Sequence, residues 1–471
     1  MVDRADIHGK PLIAALLISL ALGNLLILAY DASWPVRCVA GLCVSYLVLS
    51  LFLHPRQSLA SDPFAMHVVA RVMVLFGYVL SCLYVSSGVV RINDDLILLA
   101  LGIGLGSVLL ADLLVLFVPL PPDARLAGDS TSLEARLFLL LFAAGWLWRA
   151  YAFSRGLLYG TFIGTRLELT GASNIMGTLN SLATLGMWGC VVFARRSRWT
   201  IPLVAMEVIW LLATGSKGAV LYILVPFLMV LFQRGTIRIN GRFVAGMGAI
   251  LVLFMATFVV VHGYRVAVAK QVAGAGYAGF EASEALTTIE VDPNDFVLIG
   301  KSLTERLNLA ERYLLILERD EAGASDPWYG QSYLTAMLWF VPRAVWPGKP
   351  SMSLGRWFAT EYLGWGEESR SEAGVTVWGE GFLNFRIIGA ILVPGLWIAF
   401  LQLIYSLALR RGRWGILFVA SGYLVMMNSL SANVALPIAG LAQLLLILLF
   451  LRVLIVAMRR AARRLEVRPV G

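Results

Sequence analysis

The stretch "IIGAILVPGLWIAFLQLIYSLA" (387–408), followed at once by "LRRGR" (409–413), decides how this chain is read. The run carries no charge, and at 1.5 Å per residue it reaches about 33 Å, enough to cross a hydrocarbon core of about 30 Å. Arginines then mark where it meets water. Working outward, comparable runs recur at about 11–30, 35–53, 65–87, 95–119, 136–154, 175–194, 199–214, 217–233, 243–263, 414–431 and 433–457. The 471 residues are 59% hydrophobic and only 14% charged, with a mean hydropathy of +0.79. A soluble domain would carry about 25% charged residues. The expectation is an all-α, polytopic membrane helical bundle of about twelve transmembrane helices. A single-anchor protein and an outer-membrane barrel are excluded by the number and length of the runs.

The 38 Lys and Arg against 29 Asp and Glu give a net charge of +9. Their positions give this excess a topological meaning, and no nucleic-acid partner is inferred. With the amino terminus in the cytoplasm, the inward connections hold Arg195, Arg196 and Arg198, then Arg234, Arg238 and Arg242, then Arg410, Arg411 and Arg413, and finally Arg459, Arg460, Arg463, Arg464 and Arg468. The short outward connections hold only Arg37, Arg91, Arg155, Arg166 and Lys217. Positive charge favours the cytoplasmic side, so both termini are expected there. The first run is read as an uncleaved anchor, because its apolar length exceeds that of a signal peptide. The expected organisation is therefore 1–263 for spans one to nine, 264–386 for a large partly helical periplasmic loop with interfacial helices, 387–457 for the last three spans, and 458–471 for a basic cytoplasmic tail.

Cys38, Cys43, Cys82 and Cys190 lie in apolar segments without metal-binding spacing, and His8, His54, His67 and His262 are scattered. No metal and no cofactor is expected. Arg71, Asp112, Arg149 and Glu207 fall inside apolar runs. Charges there are costly in lipid and must face the bundle interior or water; an Arg71–Asp112 pair is the structural assignment and an ion pathway the functional one.

Chemistry is sought in 264–386, which holds more than half of all the acidic residues. "SLTERLNLAERYLLILER" reads as a helix with Glu305, Arg306, Glu311, Arg312 and Arg319 on a polar face and Leu303, Leu307, Leu314 and Ile316 opposite. "SYLTAMLWFVPRAVWPGKP" (332–350) is too short to span and reads as a re-entrant or interfacial helix stopped by prolines. "SRSEAGVTVWGEGFLNF" (369–385) is Gly-rich and acidic and leads back to the membrane. Arg265, Arg306, Arg312, Arg343 and Lys349 could hold phosphate oxygens or pair with neighbouring carboxylates. Trp328, Tyr329, Tyr333, Trp339, Trp346, Trp357, Tyr362, Trp365 and Trp378 could stack on sugars or form an interfacial aromatic belt. Glu380, between Gly379 and Gly381, could act as a general base if desolvated, with Glu372 next in order. Elsewhere, Arg166 faces outward, and Lys217 in "TGSKG" (214–218) sits against the charge trend, which suits contact with an anionic group.

Four strings, "TGSKG" (214–218), "HGYR" (262–265), "VPRAVWPGKP" (341–350) and "WGEGFLNFRIIG" (378–389), occur in the order in which the chain resembles the Wzy-type O-antigen polysaccharide polymerases, also called oligosaccharide repeat-unit polymerases. The likeness covers about the last 260 residues and the helix count. The family's paired arginine-x10-glycine spacing fits Arg166 with Gly177 and Arg370 with Gly381, whereas Arg343 misses it. The resemblance implies a glycosyltransferase of the bacterial inner membrane, using a polyprenyl-diphosphate-linked glycan donor and making O-antigen or exopolysaccharide. It places Glu380, Arg265 and Arg343 at the chemistry and Arg166, Lys217, Arg306, Arg312, Lys349, Arg370, Trp346 and Trp378 at the substrate. Lipid-linked oligosaccharides and membrane lipids are the implied partners, with a chain-length regulator and a flippase as candidates. An O-antigen ligase, or another lipid-linked glycosyltransferase, is the alternative enzyme. A transporter or flippase would suit the spans and buried charges, but no repeated halves are found.

Overall fold

A computed structural model of the chain describes residues 31–54, 58–59, 61–86, 92–120, 132–154, 173–194, 200–213, 219–237, 240–275, 308–321, 323, 326–338, 341, 346, 348, 354–366 and 373–466, and 13–30 in part. All regular structure among them is helical. We number the helices α1 (Trp34–Leu53), α2 (Met66–Tyr84), α3 (Asp94–Val115), α4 (Ser132–Ser154), α5 (Ser173–Phe193), α6 (Ile201–Ala213), α7 (Ala219–Gln233), α8 (Gly241–Ala275), α9 (Leu309–Glu321), α10 (Gln331–Met337), α11 (Gly355–Glu361), α12 (Val377–Leu409), α13 (Arg413–Asn428) and α14 (Ala435–Glu466). Among the described residues five helical stretches are long and apolar enough to cross a membrane: Trp34–Leu53, Met66–Tyr84, Asp94–Val115, Val377–Arg410 and Ala435–Ala461. Shorter apolar stretches occupy Leu179–Phe193, Ile201–Leu212, Leu221–Gln233 and Ala245–Val261. Leu42, Leu113, Leu446, Phe450 and Val453 are exposed on such helices. Faces of this kind suit lipid better than water.

The chain divides into two compact units that do not follow the expected loop boundary. The first contains 1–121, 303–407 and 425–443; the second contains 122–302, 408–424 and 444–471.

In the first unit, Pro35 opens α1 within its first turn, where a missing N–H costs nothing. Asn93 caps α3 by accepting from the Asp95 N–H at 3.1 Å. Asp94 and Asp95 complement the positive end of the helix dipole. Partway along, α2 widens into a π turn at Leu75–Val79, which turns Tyr78 fully inward, its hydroxyl donating to the Ala100 carbonyl at 2.9 Å. Gly104 makes room: a Cβ there would lie 2.6 Å from the Tyr78 ring. The charges inside the spans do face the interior: Arg71 pairs with Asp112, which also accepts from Tyr46 at 2.6 Å.

Helix α9 packs against α2 and α3. The expected residues 302–307 lie outside the described residues; the Asn308 side chain accepts from the Glu311 N–H at 3.0 Å and caps the helix. Its buried face is Leu309, Ala310, Tyr313, Leu314, Ile316 and Leu317.

In the second unit, α4 and α5 pack along their length. A Cβ at Gly145 or Gly186 would enter the facing backbone, and one at Gly189 would enter the Phe138 ring. Small residues at such seams let membrane helices approach closely. Arg149 and Glu207 form a buried pair at 2.6 Å. The guanidinium also donates to Asn180 Oδ1 at 2.9 Å, to the Asn180 carbonyl at 3.0 Å and to Thr184 at 3.1 Å. Trp146 and Trp210 lie 5.4 and 5.2 Å from it. Arg234 follows α7 and donates to the Val192 and Ala194 carbonyls at the end of α5. Burial, helped by Arg413, holds its pKa down at about 10, so it still carries its charge at neutral pH.

Candidate functional site: a buried carboxylate on a broken helix

Within the first unit, α12 is not one straight rod. Phe385 (φ −141°, ψ 21°) and Arg386 (φ 57°, ψ −147°) break it into a short half-helix, 377–384, and a long segment, 387–409. The second backbone conformation is one that glycine alone adopts readily. The two pieces touch where Gly381 meets Gly389, since a Cβ on either would strike the other's carbonyl oxygen. The sequence reading took "GVTVWGEGFLNF" for a Gly-rich loop. Its glycines instead serve packing: besides the Gly381–Gly389 contact, a Cβ on Gly379 would lie 2.6 Å from Ile316 of α9.

The half-helix is held at both ends by neighbouring chain. At its start Thr376 sits at φ 66°, and its hydroxyl accepts from the Gly379 N–H at 3.2 Å. The Val377 N–H donates to the Leu430 carbonyl at 3.2 Å. At its end the carbonyls of Leu383 and Asn384 accept from the N–H groups of Trp328 and Tyr329 at 2.9 and 3.1 Å, and Asn384 Oδ1 accepts from the Gly330 N–H at 3.0 Å. Tyr329 itself lies at φ 47°. Thus the non-glycine residues with left-handed backbone among those described, Tyr329, Thr376 and Arg386, all frame this one half-helix. Strain of about 1–3 kcal/mol each persists only where surrounding structure enforces it, and it concentrates at functional sites.

Glu380 is the ionisable group at the centre. It is 0% exposed. Oε1 accepts from the Ser332 hydroxyl at 2.8 Å and Oε2 from the Val434 N–H at 2.6 Å. Ser332 in turn accepts from Asn384 Nδ2 at 2.9 Å, and that nitrogen also donates to the Glu380 carbonyl at 2.8 Å. Among the described residues no cation pairs with this carboxylate. The Tyr333 phenol lies near it; burial pushes that phenol's pKa up and the Glu380 charge adds to the rise, so Tyr333 is a neutral group at physiological pH. Tyr313 on α9 is fully buried, and its hydroxyl has no hydrogen-bond partner among the described residues.

The other expected residues separate into three groups. Arg312 reaches inward, Nη1 donating to the Gly374 carbonyl at 3.1 Å, and so ties α9 to the chain entering the half-helix. Trp378, expected to stack on sugar, has no exposed face: its ring centroid lies 4.8 Å from that of Tyr78 and its indole N–H donates to Ser107 at 3.1 Å. This is a correction, since the aromatic next to the acidic residue walls the interior. Trp346 is 40% exposed. Arg265 lies on α8 of the second unit, and its side chain is outside the described residues, as are Arg166, Lys217, Arg306, Arg343, Lys349, Arg370 and Glu372.

Sequence reasoning missed Ser332, Asn384 and the Val434 N–H. Asn384 was findable, because it lies four residues after Glu380 and shares its helix face. Ser332 and Val434 were not, since they come from elements 48 and 54 residues away. Arg386, which pairs with Asp320 and lies 5.5 Å from the Phe382 ring centroid, was also overlooked. Among the described residues no three His, Cys, Asp or Glu side chains gather in a way that would hold a metal ion.

No family model, curated protein or solved structure matches the chain. Its chemistry has to be argued from its own residues. A desolvated carboxylate held by neutral donors can accept a proton or stabilise a developing positive charge, and both powers grow where water is excluded.

Proposed function

We propose that the protein is a glycosyltransferase that polymerises lipid-linked oligosaccharide repeat units into O-antigen or exopolysaccharide at the periplasmic face of a bacterial inner membrane. In this reading about twelve spans leave both termini in the cytoplasm and 264–386 on the outer side. One observation carries it: the acidic residue of the "WGEGFLNFRIIG" string is a buried carboxylate without a cation partner among the described residues, on a half-helix framed by strained backbone.

The chemistry follows. The acceptor sugar hydroxyl takes the place of the Ser332 hydroxyl on Glu380 Oε1, a like-for-like exchange of hydrogen bonds, and gives up its proton as it attacks the donor's anomeric carbon. The bond from that carbon to the polyprenyl diphosphate breaks, and negative charge gathers on the leaving phosphate. Guanidinium and ammonium groups that meet this charge stabilise the transition state more than the ground state. Arg265 and Arg343 are assigned that part, with Arg166, Lys217, Arg306, Lys349 and Arg370 along the substrate.

The test is to incubate the purified protein with a polyprenyl-diphosphate oligosaccharide and resolve the products by length. A ladder of repeat-unit spacing is expected. Arg265→Ala and Arg343→Ala are expected to abolish it while the protein stays in the membrane. No ladder from the unaltered protein, or normal chain lengths from both variants, defeats the assignment.

A further inference from the structure

Tyr329 combines two features that a structural residue would avoid. Its backbone lies at φ 47°, where glycine or asparagine fits without strain. Its side chain is 78% exposed, so packing repays little of that strain. Residues so placed are held by their surroundings, here by the hydrogen bond from the Tyr329 N–H to the carbonyl of Asn384, the residue that braces Ser332 and Glu380.

The exposed ring does not stand alone. Phe385, at the break of α12, is 45% exposed. Its ring edge lies 3.3 Å from where a Gly330 Cβ would sit, so Phe385 packs on the turn that carries Tyr329. Beneath Phe385, the Tyr333 ring lies nearly parallel to it at a 17° tilt with centroids 6.1 Å apart. Trp328 packs on Trp357 at 4.7 Å and fixes the base of the turn. An outward aromatic rim thus passes through Tyr333 to the buried carboxylate.

We propose that Tyr329 and Phe385 form a sugar-stacking subsite, which receives the acceptor sugar ring and directs it toward Glu380. This rests on the glycosyltransferase reading. A pyranose has one face lined by C–H groups, and these pack on the electron-rich face of an aromatic ring while the hydroxyls at the edge remain free to hydrogen bond. Rings carried on short, two-torsion side chains lose little entropy in such contacts. A polar group adjoins the rim, since Arg386, beside Phe385 at the break, pairs with Asp320.

The experiment uses the full chain in nanodiscs and saturation-transfer NMR with the methyl glycosides of glucose, galactose, mannose, rhamnose and N-acetylglucosamine. At least one glycoside is expected to receive saturation on its ring protons. Tyr329→Phe and Glu380→Gln should leave that signal in place, whereas Tyr329→Asn should cut it about fivefold to tenfold, the worth of one aromatic contact. Because asparagine accepts a left-handed backbone, Tyr329→Asn should melt no lower than the parent, so its loss of signal cannot be blamed on misfolding. No saturation of any glycoside by the unaltered protein, or equal saturation with Tyr329→Asn, overturns the subsite. Since this readout needs no turnover, it can stand while the product ladder fails, and fail while the ladder stands.

Discussion

Two fully buried glutamates, one in each unit, behave as opposites. Glu207 meets the Arg149 guanidinium through both oxygens, at 2.6 and 3.2 Å, and Thr184 besides. Its backbone is regular helix, in α6. Among the described residues Glu380 meets only a hydroxyl and a backbone N–H, on a half-helix bounded by left-handed residues. Burying a charge is expensive unless it is paired. Glu207 is paired and saturated, which makes it a fastener between helices. Glu380 has no cation partner among the described residues and sits in the most strained backbone of the described chain, and that is how a reactive group is held.

The sharpest break of this contrast is Glu380→Gln. The amide can still accept from Val434 and donate to Ser332, so the fold should hold, while turnover should fall by about 10²–10⁴-fold, the usual worth of a general base. Product-ladder rates beside a lipid-diphosphate binding assay check this; equal loss of both would make Glu380 a fastener like Glu207. Next in size, Arg149→Met strands Glu207 without its partner and should cost about 3–5 kcal/mol, whereas Arg149→Met with Glu207→Met together should return to near the parent stability. Thermal unfolding in detergent reads the difference, and turnover of the folded double variant should be unchanged. Gly381→Ala pushes a methyl group into the Gly389 carbonyl and should cost about 1–3 kcal/mol, with lower turnover because the half-helix must tilt. The smallest effect has the opposite sign. Arg386→Gly removes backbone strain of about 1–3 kcal/mol and gives up a half-exposed ion pair worth about 0–1 kcal/mol, so a melting temperature a few degrees higher is expected, paired with reduced turnover. A rise in both would mean that the strain does not serve catalysis.

Much of the molecule could be read from the sequence. Five of the about twelve apolar runs give helices of spanning length among the described residues, and charges inside apolar runs had to turn inward, as Arg71 with Asp112 and Arg149 with Glu207 do. Glu380 was singled out by its type and its flanking glycines. The packing role of those glycines was not legible, because a loop and a tightly packed half-helix make the same demand for a missing Cβ. Trp378 was misassigned for a related reason: an indole beside an acidic residue looks the same in sequence whether its ring faces water or Tyr78. Asn308 was read inside a continuous helix pattern, whereas it caps α9.

What the sequence determined by itself is that the chain forms helices apolar enough for a bilayer, since hydropathy acts residue by residue over a length set by the bilayer. What only the tertiary structure decided is which groups meet. Ser332, the Val434 N–H and Asn384 converge on Glu380 because α12 reverses at Phe385–Arg386. That reversal is fixed by contacts between distant elements, which outweigh the local preference of an arginine for an ordinary helical backbone.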